Sequence, residues 1–420
     1  MGTIACLLIA LVLRLAVILN QPDQLTLDRD AYLGIATSVA EGRGYSSPNS
    51  TSPTAFRPPL YPLCLAAGFR VFPTSAVVAG INLLTGLLTV WLTARLGLIL
   101  QLGQLRFAAA LLVAIDPLLL RYASQPMTES LCTFLATFWL FSVVSSSEPE
   151  NRRRSISSLI SGIAFGFLVL CRPTFWPMAA FCGFAWLFAQ HRTIVTSSET
   201  PHFSTPARGV FSVIGTVVVV APWLIRNWIV FGIPILTTTH GGYTLLLGNN
   251  PVFYNEVVQQ PWGTSWPDAS QRAWEDQLSA QMKDDLSPQA TEIERDAWQS
   301  HRARSFMKAN PLVSTEAAIH RIRSLWNTTP QADAADGTSG WVVTTVGWFY
   351  FFELVIGLIG MCLVVGRADR GRWWPLYVLI LTVQLVHLFY WTNTRMRAPL
   401  TPAIALFTIV AITRDRRAPK

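Results

Sequence analysis

Two aspartates one residue apart, Asp28 and Asp30, open a polar segment directly after a hydrophobic N-terminal stretch. Further along the same segment an arginine stands before two prolines, Arg57-Pro58-Pro59, and a third acid, Glu129, begins a later apolar run. A positioned carboxylate can take the proton of an attacking hydroxyl. An arginine can grip a phosphate through two parallel hydrogen bonds. A plain connector between membrane spans needs neither. The chemistry to look for is therefore transfer to or from an anionic ligand, and the elements around these residues must bring them together.

Those elements are membrane helices. The chain is 51% hydrophobic and 13% charged, with mean hydropathy +0.38, whereas a soluble domain carries about 25% charged residues. Ten apolar runs are long enough to suggest spans, near 3–20, 75–95, 106–121, 130–146, 156–171, 174–190, 209–230, 342–365, 373–391 and 398–413. The first has Arg14 in mid-run and no small-residue cleavage site after it, so it reads as a retained helix rather than a signal peptide. Short loops carry Arg152-Arg153-Arg154, Arg192 with Arg208, and Arg367, Arg370 and Arg372, and the tail carries Arg414, Arg416, Arg417 and Lys420. All fall on one side, which the positive-inside rule makes cytoplasmic, with both termini inside. The first loop, 21–74, and the region 231–340 then face the non-cytoplasmic side.

This topology singles out Arg57, Arg121, Arg172, Arg226, Arg395 and Arg397, which stand at outer ends of spans or in outer loops, against the usual bias. Headgroup contacts are the plain explanation; a shared anionic ligand is the functional one. The net charge of +8 is scattered among spans, which argues against nucleic acid. The six cysteines show no CxxC pairing and read as small buried apolar residues.

Within the first loop, Tyr32, Ile35, Ala36, Val39 and Ala40 share one face of a helix expected from Asp30 to about Glu41, ended by Gly42. Asp28 and Asp30 stand at its N-terminus, where one of them could simply cap it. Gly44–Pro62 has no periodicity, and Arg57-Pro58-Pro59-Leu60-Tyr61-Pro62 is stiff backbone suited to a preorganised contact. Glu129 at the bundle mouth needs a partner, and Asp116, before Pro117, could pair with another helix. After Trp223-Leu224-Ile225-Arg226-Asn227 come two polar stretches, Thr237–Tyr243 with His240, and Gly248-Asn249-Asn250-Pro251. Their hydroxyls, amides and N–H groups could meet a sugar or phosphate; a solvated loop is the bland alternative. From about Asp268 to Trp326 the spacing is helical and Pro288 and Pro311 divide it into three helices, a small outer subdomain. His301 and His320 have no partner at metal-ligand spacing.

These pieces resemble the membrane glycosyltransferases that use polyprenyl-phosphate sugars, the protein mannosyltransferase-like and aminoarabinose lipid A transferase-like group with the GT-C fold. The matching residues are Asp28 with Tyr32, Glu41-Gly42 with Gly44-Tyr45, Thr54-Ala55 with Arg57 to Pro62, and Thr128-Glu129-Ser130-Leu131. Further on come Cys171-Arg172-Pro173-Thr174, Trp223 with Arg226-Asn227, Gly248 to Pro251, and Arg395 and Arg397 with Pro399 and Pro402. The set extends over nearly the whole chain and is specific for fold rather than substrate.

The resemblance implies an all-α polytopic GT-C bundle of about ten spans with interfacial helices in the first loop. Its catalytic module would be 1–230, its outer helical region 231–340, and its last helices 341–420. It places Asp28 as the first-loop acid, Asp30 as helper or cap, and Glu129 as a second acid. Substrate-binding residues would come from Tyr32, Arg57, Tyr61, Arg121, Arg172, Arg226, Asn227, His240, Asn249, Asn250, Arg395 and Arg397. Some relatives bind a divalent metal, although no ligand cluster in this sequence demands one. The expected activity is transfer of one sugar from a polyprenyl-phosphate donor to a lipid, glycan or protein acceptor on the non-cytoplasmic face. The phosphate leaving group needs positive charge more than a proton. The competing expectations are a flippase or carrier, which would keep polar groups at the midplane of broken helices, and a silent scaffold. Asn49-Ser50-Thr51 and Asn327-Thr328-Thr329 match the glycosylation acceptor pattern, which matters only in a eukaryotic source.

Overall fold

The computed structural model describes residues 1–146, 154–184, 206–330, 339–367 and 369–413. Regular structure among them is helical, apart from one isolated bridge between Ser46 and Pro53. In chain order the helices begin with α1 (Gly2–Asn20), α2 (Tyr32–Ala40), α3 (Leu60–Phe69), α4 (Thr74–Ile99), α5 (Arg106–Ile115) and α6 (Pro117–Arg121). Next come α7 (Glu129–Ser146), α8 (Arg154–Cys171), α9 (176–184), α10 (Pro206–Phe231) and α11 (Gly241–Leu247). The chain continues with α12 (Asp268–Asp285), α13 (Glu292–Ala309), α14 (Pro311–Leu325), α15 (Gly340–Val365), α16 (Trp374–Val386) and α17 (Thr401–Ile412).

Six segments among the described residues are long and apolar enough to cross a membrane: α1, α4, α7, Gly209–Phe231 of α10, α15, and Thr394–Ile412 around α17. A bent pair, Gly103–Ile115 with Pro117–Ser124, makes up to seven. The protein is an integral membrane protein, and among the described residues six or seven spans stand against the ten expected. The runs near 156–171 and 373–391 give only shorter helices, Ser155–Cys171 and Trp374–Val386. Arg172 and Pro173 end the first of these. After the second, the His387 ring turns back onto the Val383 carbonyl at 2.7 Å. The run at 174–190 gives α9, and its residues 185–190 lie outside the described residues. So do Arg152, Arg153, Arg192, Arg414, Arg416, Arg417 and Lys420, on which the expected orientation rests.

Several polar residues inside spans are satisfied by the helix itself, as hydrocarbon favours. In α4, Thr85, Thr89 and Thr93 each donate to the carbonyl one turn back, at 2.7, 2.7 and 2.8 Å. Small residues let helices touch. A Cβ on Gly162 of α8 would lie 1.9 Å from the Ser212 carbonyl oxygen of α10, and one on Gly360 of α15 would lie 1.8 Å from that of Phe407 in α17.

The span expected at 106–121 is broken where Pro117, lacking an N–H, follows Asp116, and its halves differ in direction by 44°. Buried charges finish both broken ends. Asp116 accepts Leu119 N–H at 2.8 Å, capping α6. Arg14 of α1, 1% exposed, donates to the Ala114 and Val113 carbonyls at 3.1 and 3.5 Å, which the break leaves without helical partners. Tyr350 of α15 also points its hydroxyl at Asp116, 3.3 Å away.

Beyond the spans, α11 to α14 pack around a second core that includes Leu245, Phe253, Tyr254, Trp274, Leu278 and Ala303. Its helices begin and end where the sequence places them. Pro288 lies in the connector before α13, Thr291 and Glu294 form a capping box there, and Pro311 starts α14. Arg321 fastens this subdomain to the bundle, donating to Leu388 O at 2.6 Å and to Gly248 O at 2.6 Å.

Candidate active site

The first polar loop separates its two aspartates. Asp28 accepts Leu33 N–H at 3.1 Å and Gly34 N–H at 2.8 Å, so both oxygens are occupied by amides that α2 leaves without helical partners. Ala31 then takes φ 61°, a left-handed turn that costs a non-glycine residue about 1–2 kcal/mol. That turn sends Asp30 the other way, toward arginine. Asp30 Oδ1 is 3.0 Å from Arg57 Nη2, and Oδ2 is 3.5 Å from Arg395 Nη1. Burial pushes the Asp30 carboxyl up, but Arg395 and Arg57 outweigh burial and hold it below the usual carboxylate range.

Glu129, at the start of α7, continues the cluster. Its Oε1 lies 2.6 Å from Arg172 Nη2 and 3.5 Å from Arg395 Nε. Arg172 Nε also donates to Thr128 Oγ1 at 2.8 Å. The two acids differ in access: the Asp30 side chain is 19% exposed and that of Glu129 1%. Asp30 is the more accessible of the two.

Aromatic rings wall the centre. The Arg57 guanidinium lies 5.0 Å from the Phe56 ring centre and 5.4 Å from that of Tyr32, which meets Tyr61 edge-on at 5.4 Å. Tyr45 donates to the Arg57 carbonyl at 2.9 Å, fixing the backbone under that arginine. His240 stacks on Tyr243 at 5.2 Å and meets Phe56 at 4.3 Å. Burial, then the Arg57 charge beside it, push its imidazole down to about 3, so it is neutral at pH 7.

Six buried polar atoms around this centre have no hydrogen-bond partner: Arg57 Nε, Tyr61 OH, Glu129 Oε2, Thr239 Oγ1, His240 Nδ1 and Arg395 Nε. Burying such groups unpaired costs about 1–3 kcal/mol each. A polar ligand is what they are suited to meet.

Asp30, Glu129, Tyr32, Arg57, Tyr61, Arg172, His240 and Arg395 are thus brought together. The remaining expected site residues are not. Arg226 donates to the Tyr45 and Thr54 carbonyls at 2.7 and 2.8 Å, and Asn227 to Ile235 O at 2.9 Å. Asn249 donates to Phe389 O at 2.6 Å, and Asn250 caps the next turn by accepting Phe253 N–H at 2.8 Å. Arg397 donates to Asn327 O at 2.5 Å and covers the Tyr350 ring at 4.1 Å. Arg121 ends α6, half-buried, next to Tyr122. The sequence reading missed the supports Tyr45, Phe56 and Thr128 as parts of the site, although Tyr45 and Thr128 stand in the motif pieces.

No group of three or more His, Cys, Asp or Glu side chains among the described residues could hold a metal ion. Asp30 and Glu129 are each taken up by arginine, so this donor set does not fit a divalent cation.

No family model and no curated protein sequence matches the chain. Its structure is similar to solved ones. The apo oligosaccharyltransferase of Archaeoglobus fulgidus superposes with TM-score 0.50 at 14% identity, over 98% of this chain and 50% of that one. The same archaeal oligosaccharyltransferase, AglB, in complex with an inhibitory peptide and a dolichol-phosphate, gives TM-score 0.49 at 14% identity, again over 98% and 50%. ArnT from Cupriavidus metallidurans bound to undecaprenyl phosphate gives 0.44 at 12% identity, over 97% and 77%. The chain spans about half the length of the archaeal enzyme. At such identity the likeness is one of fold, and it extends over nearly the whole chain: the protein has the GT-C fold.

Proposed function

We propose that the protein is a glycosyltransferase that moves a single sugar from a polyprenyl-phosphate donor to a lipid, glycan or protein acceptor at the non-cytoplasmic face of the membrane. The observation that carries this reading is the Asp30–Arg57–Arg395–Arg172–Glu129 centre, where three guanidinium groups meet two carboxylates. The surplus positive charge suits a phosphodiester anion, and the fold shared with an oligosaccharyltransferase supports the same reading.

In the proposed reaction the acceptor oxygen bonds to the anomeric carbon as that carbon's bond to the phosphate oxygen breaks. The electron pair leaves on the phosphate, where Arg57, Arg395 and Arg172 offset the new charge. The acceptor proton passes to Asp30. Because its arginines hold Asp30 ionised but weakly basic, the proton moves late, as the acceptor oxygen becomes acidic. Asp28, which the family resemblance suggested as the first-loop acid, serves instead as the cap of α2. Glu129 orients Arg172 and Arg395. No step is routed through a metal.

The test is transfer from a radiolabelled polyprenyl-phosphate sugar in membranes carrying single variants. Asp30→Asn should lower turnover by about 10²–10⁴-fold, the range of a lost general base. Asp28→Ala should act mainly on stability, by about 0.5–2 kcal/mol, as a lost cap does. Unimpaired turnover in Asp30→Asn would remove the proposed base.

A further inference from the structure

The helical subdomain reaches into the site through one face of α13. Glu292 Oε2 accepts the Thr54 hydroxyl at 2.8 Å and its Oε1 accepts Ala55 N–H at 2.6 Å. One helical turn on, Asp296 Oδ1 accepts Gly242 N–H at 2.6 Å. Gly242 is needed for that approach, since a Cβ there would lie 2.1 Å from the Asp296 carbonyl oxygen. Ala55 is two residues before Arg57, and Gly242 is two residues after His240. The two loops are also joined to each other: Thr239 N–H donates to Ala55 O at 3.0 Å, and the Phe56 and His240 rings meet at 4.3 Å. Ala55 lies outside any helix and Gly242 lies in the first turn of α11, where its N–H has no helical partner, so these bonds tie both segments to α13 beside the support that Tyr45 gives the Arg57 carbonyl.

We propose that Glu292 and Asp296 are positioning residues: together they suspend both loops of the site from α13, so that the helical subdomain sets the placement of Arg57 and His240. The inference rests on the reading of the site as a phosphate-binding centre only for its effect on ligand binding; the suspension itself does not depend on it. Glu292 acts as a double acceptor, through its oxygens. Its charge is not the point.

The experiment uses the full-length protein in nanodiscs, with hydrogen exchange of peptides covering 50–57 and 237–243 and titration with undecaprenyl phosphate as probe. Glu292→Ala should speed exchange in both segments by about tenfold, the effect of losing its accepted hydrogen bonds. It should weaken binding of the probe by a similar factor. Glu292→Gln, which keeps an acceptor oxygen, should restore most of both. Asp296→Ala should loosen 237–243 first. Thr54→Val, which removes only one hydroxyl, should give a smaller loosening of 50–57 and serves if Glu292→Ala does not fold. Unchanged exchange at 237–243 in Glu292→Ala would overturn the joint suspension. Equal losses in Glu292→Ala and Glu292→Gln would overturn the acceptor role in favour of charge. If the unaltered protein does not bind undecaprenyl phosphate while the exchange pattern appears as expected, the positioning role stands and the reading of the ligand fails.

Discussion

At the scale of residues, a single left-handed turn decides the roles of two aspartates that look equivalent in the sequence. Asp28 folds back on α2 and Asp30 faces Arg57 and Arg395. Spacing alone left both at a helix start, and the backbone choice at Ala31 has no signal in a residue that rarely adopts it. His240 carries the clearest pH signature in the loops. Its imidazole is held at about 3 against 6.5. Between those values the unfolded chain binds a proton that the folded protein does not, so stability falls as pH drops through this window. Melting curves of the purified protein from pH 7 to 4 should show that slope, and His240→Phe should flatten it. The lowered Asp30 carboxyl acts in the same direction but lower: its ion pairs stabilise above the ordinary carboxylate range and are lost as pH falls through the lowered value. The flattened variant should therefore still lose stability in stronger acid.

At the scale of elements, the broken span is the feature that apolar run length could not reveal. The run at 106–121 reads as one helix, and the sequence does not link Arg14 to Asp116, which reads only as a charge that could pair with another helix. They are two ends of one solution, a donor for the carbonyls of α5 and an acceptor for the first amides of α6. Arg14→Met should cost about 1–3 kcal/mol, because it leaves the Ala114 and Val113 carbonyls without a donor in a buried setting. Gly86 makes room for the guanidinium, since a Cβ there would lie 2.4 Å from Arg14 Nε. Gly86→Ala and Arg14→Met should therefore cost less together than the sum of each alone, a coupling readable by thermal unfolding in detergent. The three helices of the subdomain, by contrast, were legible: their apolar spacing and the dividing Pro288 and Pro311 mark them locally. What local sequence cannot carry is a partner 238 positions away, as Thr54 and Glu292 are to each other.

At the scale of the whole molecule, composition sufficed for an all-helical membrane protein, while the number of spans depended on breaks and short helices that run length ignores. The acid and arginine motifs drew attention to the end of the bundle where Asp30, Glu129, Arg57, Arg172 and Arg395 gather. They did not distinguish arginines that meet acids, such as Arg57, from those tied to backbone carbonyls, such as Arg226 and Arg397. If the basic loops are cytoplasmic, single cysteines placed at Asn49 and Gly263 in a background lacking the native cysteines should react with a membrane-impermeant maleimide in intact cells. One placed at Arg370 should react only after lysis; the reverse pattern would invert the topology. The arginine-rich centre carries one more consequence. On the proposed reaction the carrier arrives as a phosphodiester and departs as a monoester, which has an additional ionisable oxygen. Three guanidinium groups that welcome the first will hold the second more firmly. On that reading such a centre would part reluctantly from its spent carrier, and letting go would set the pace of the cycle.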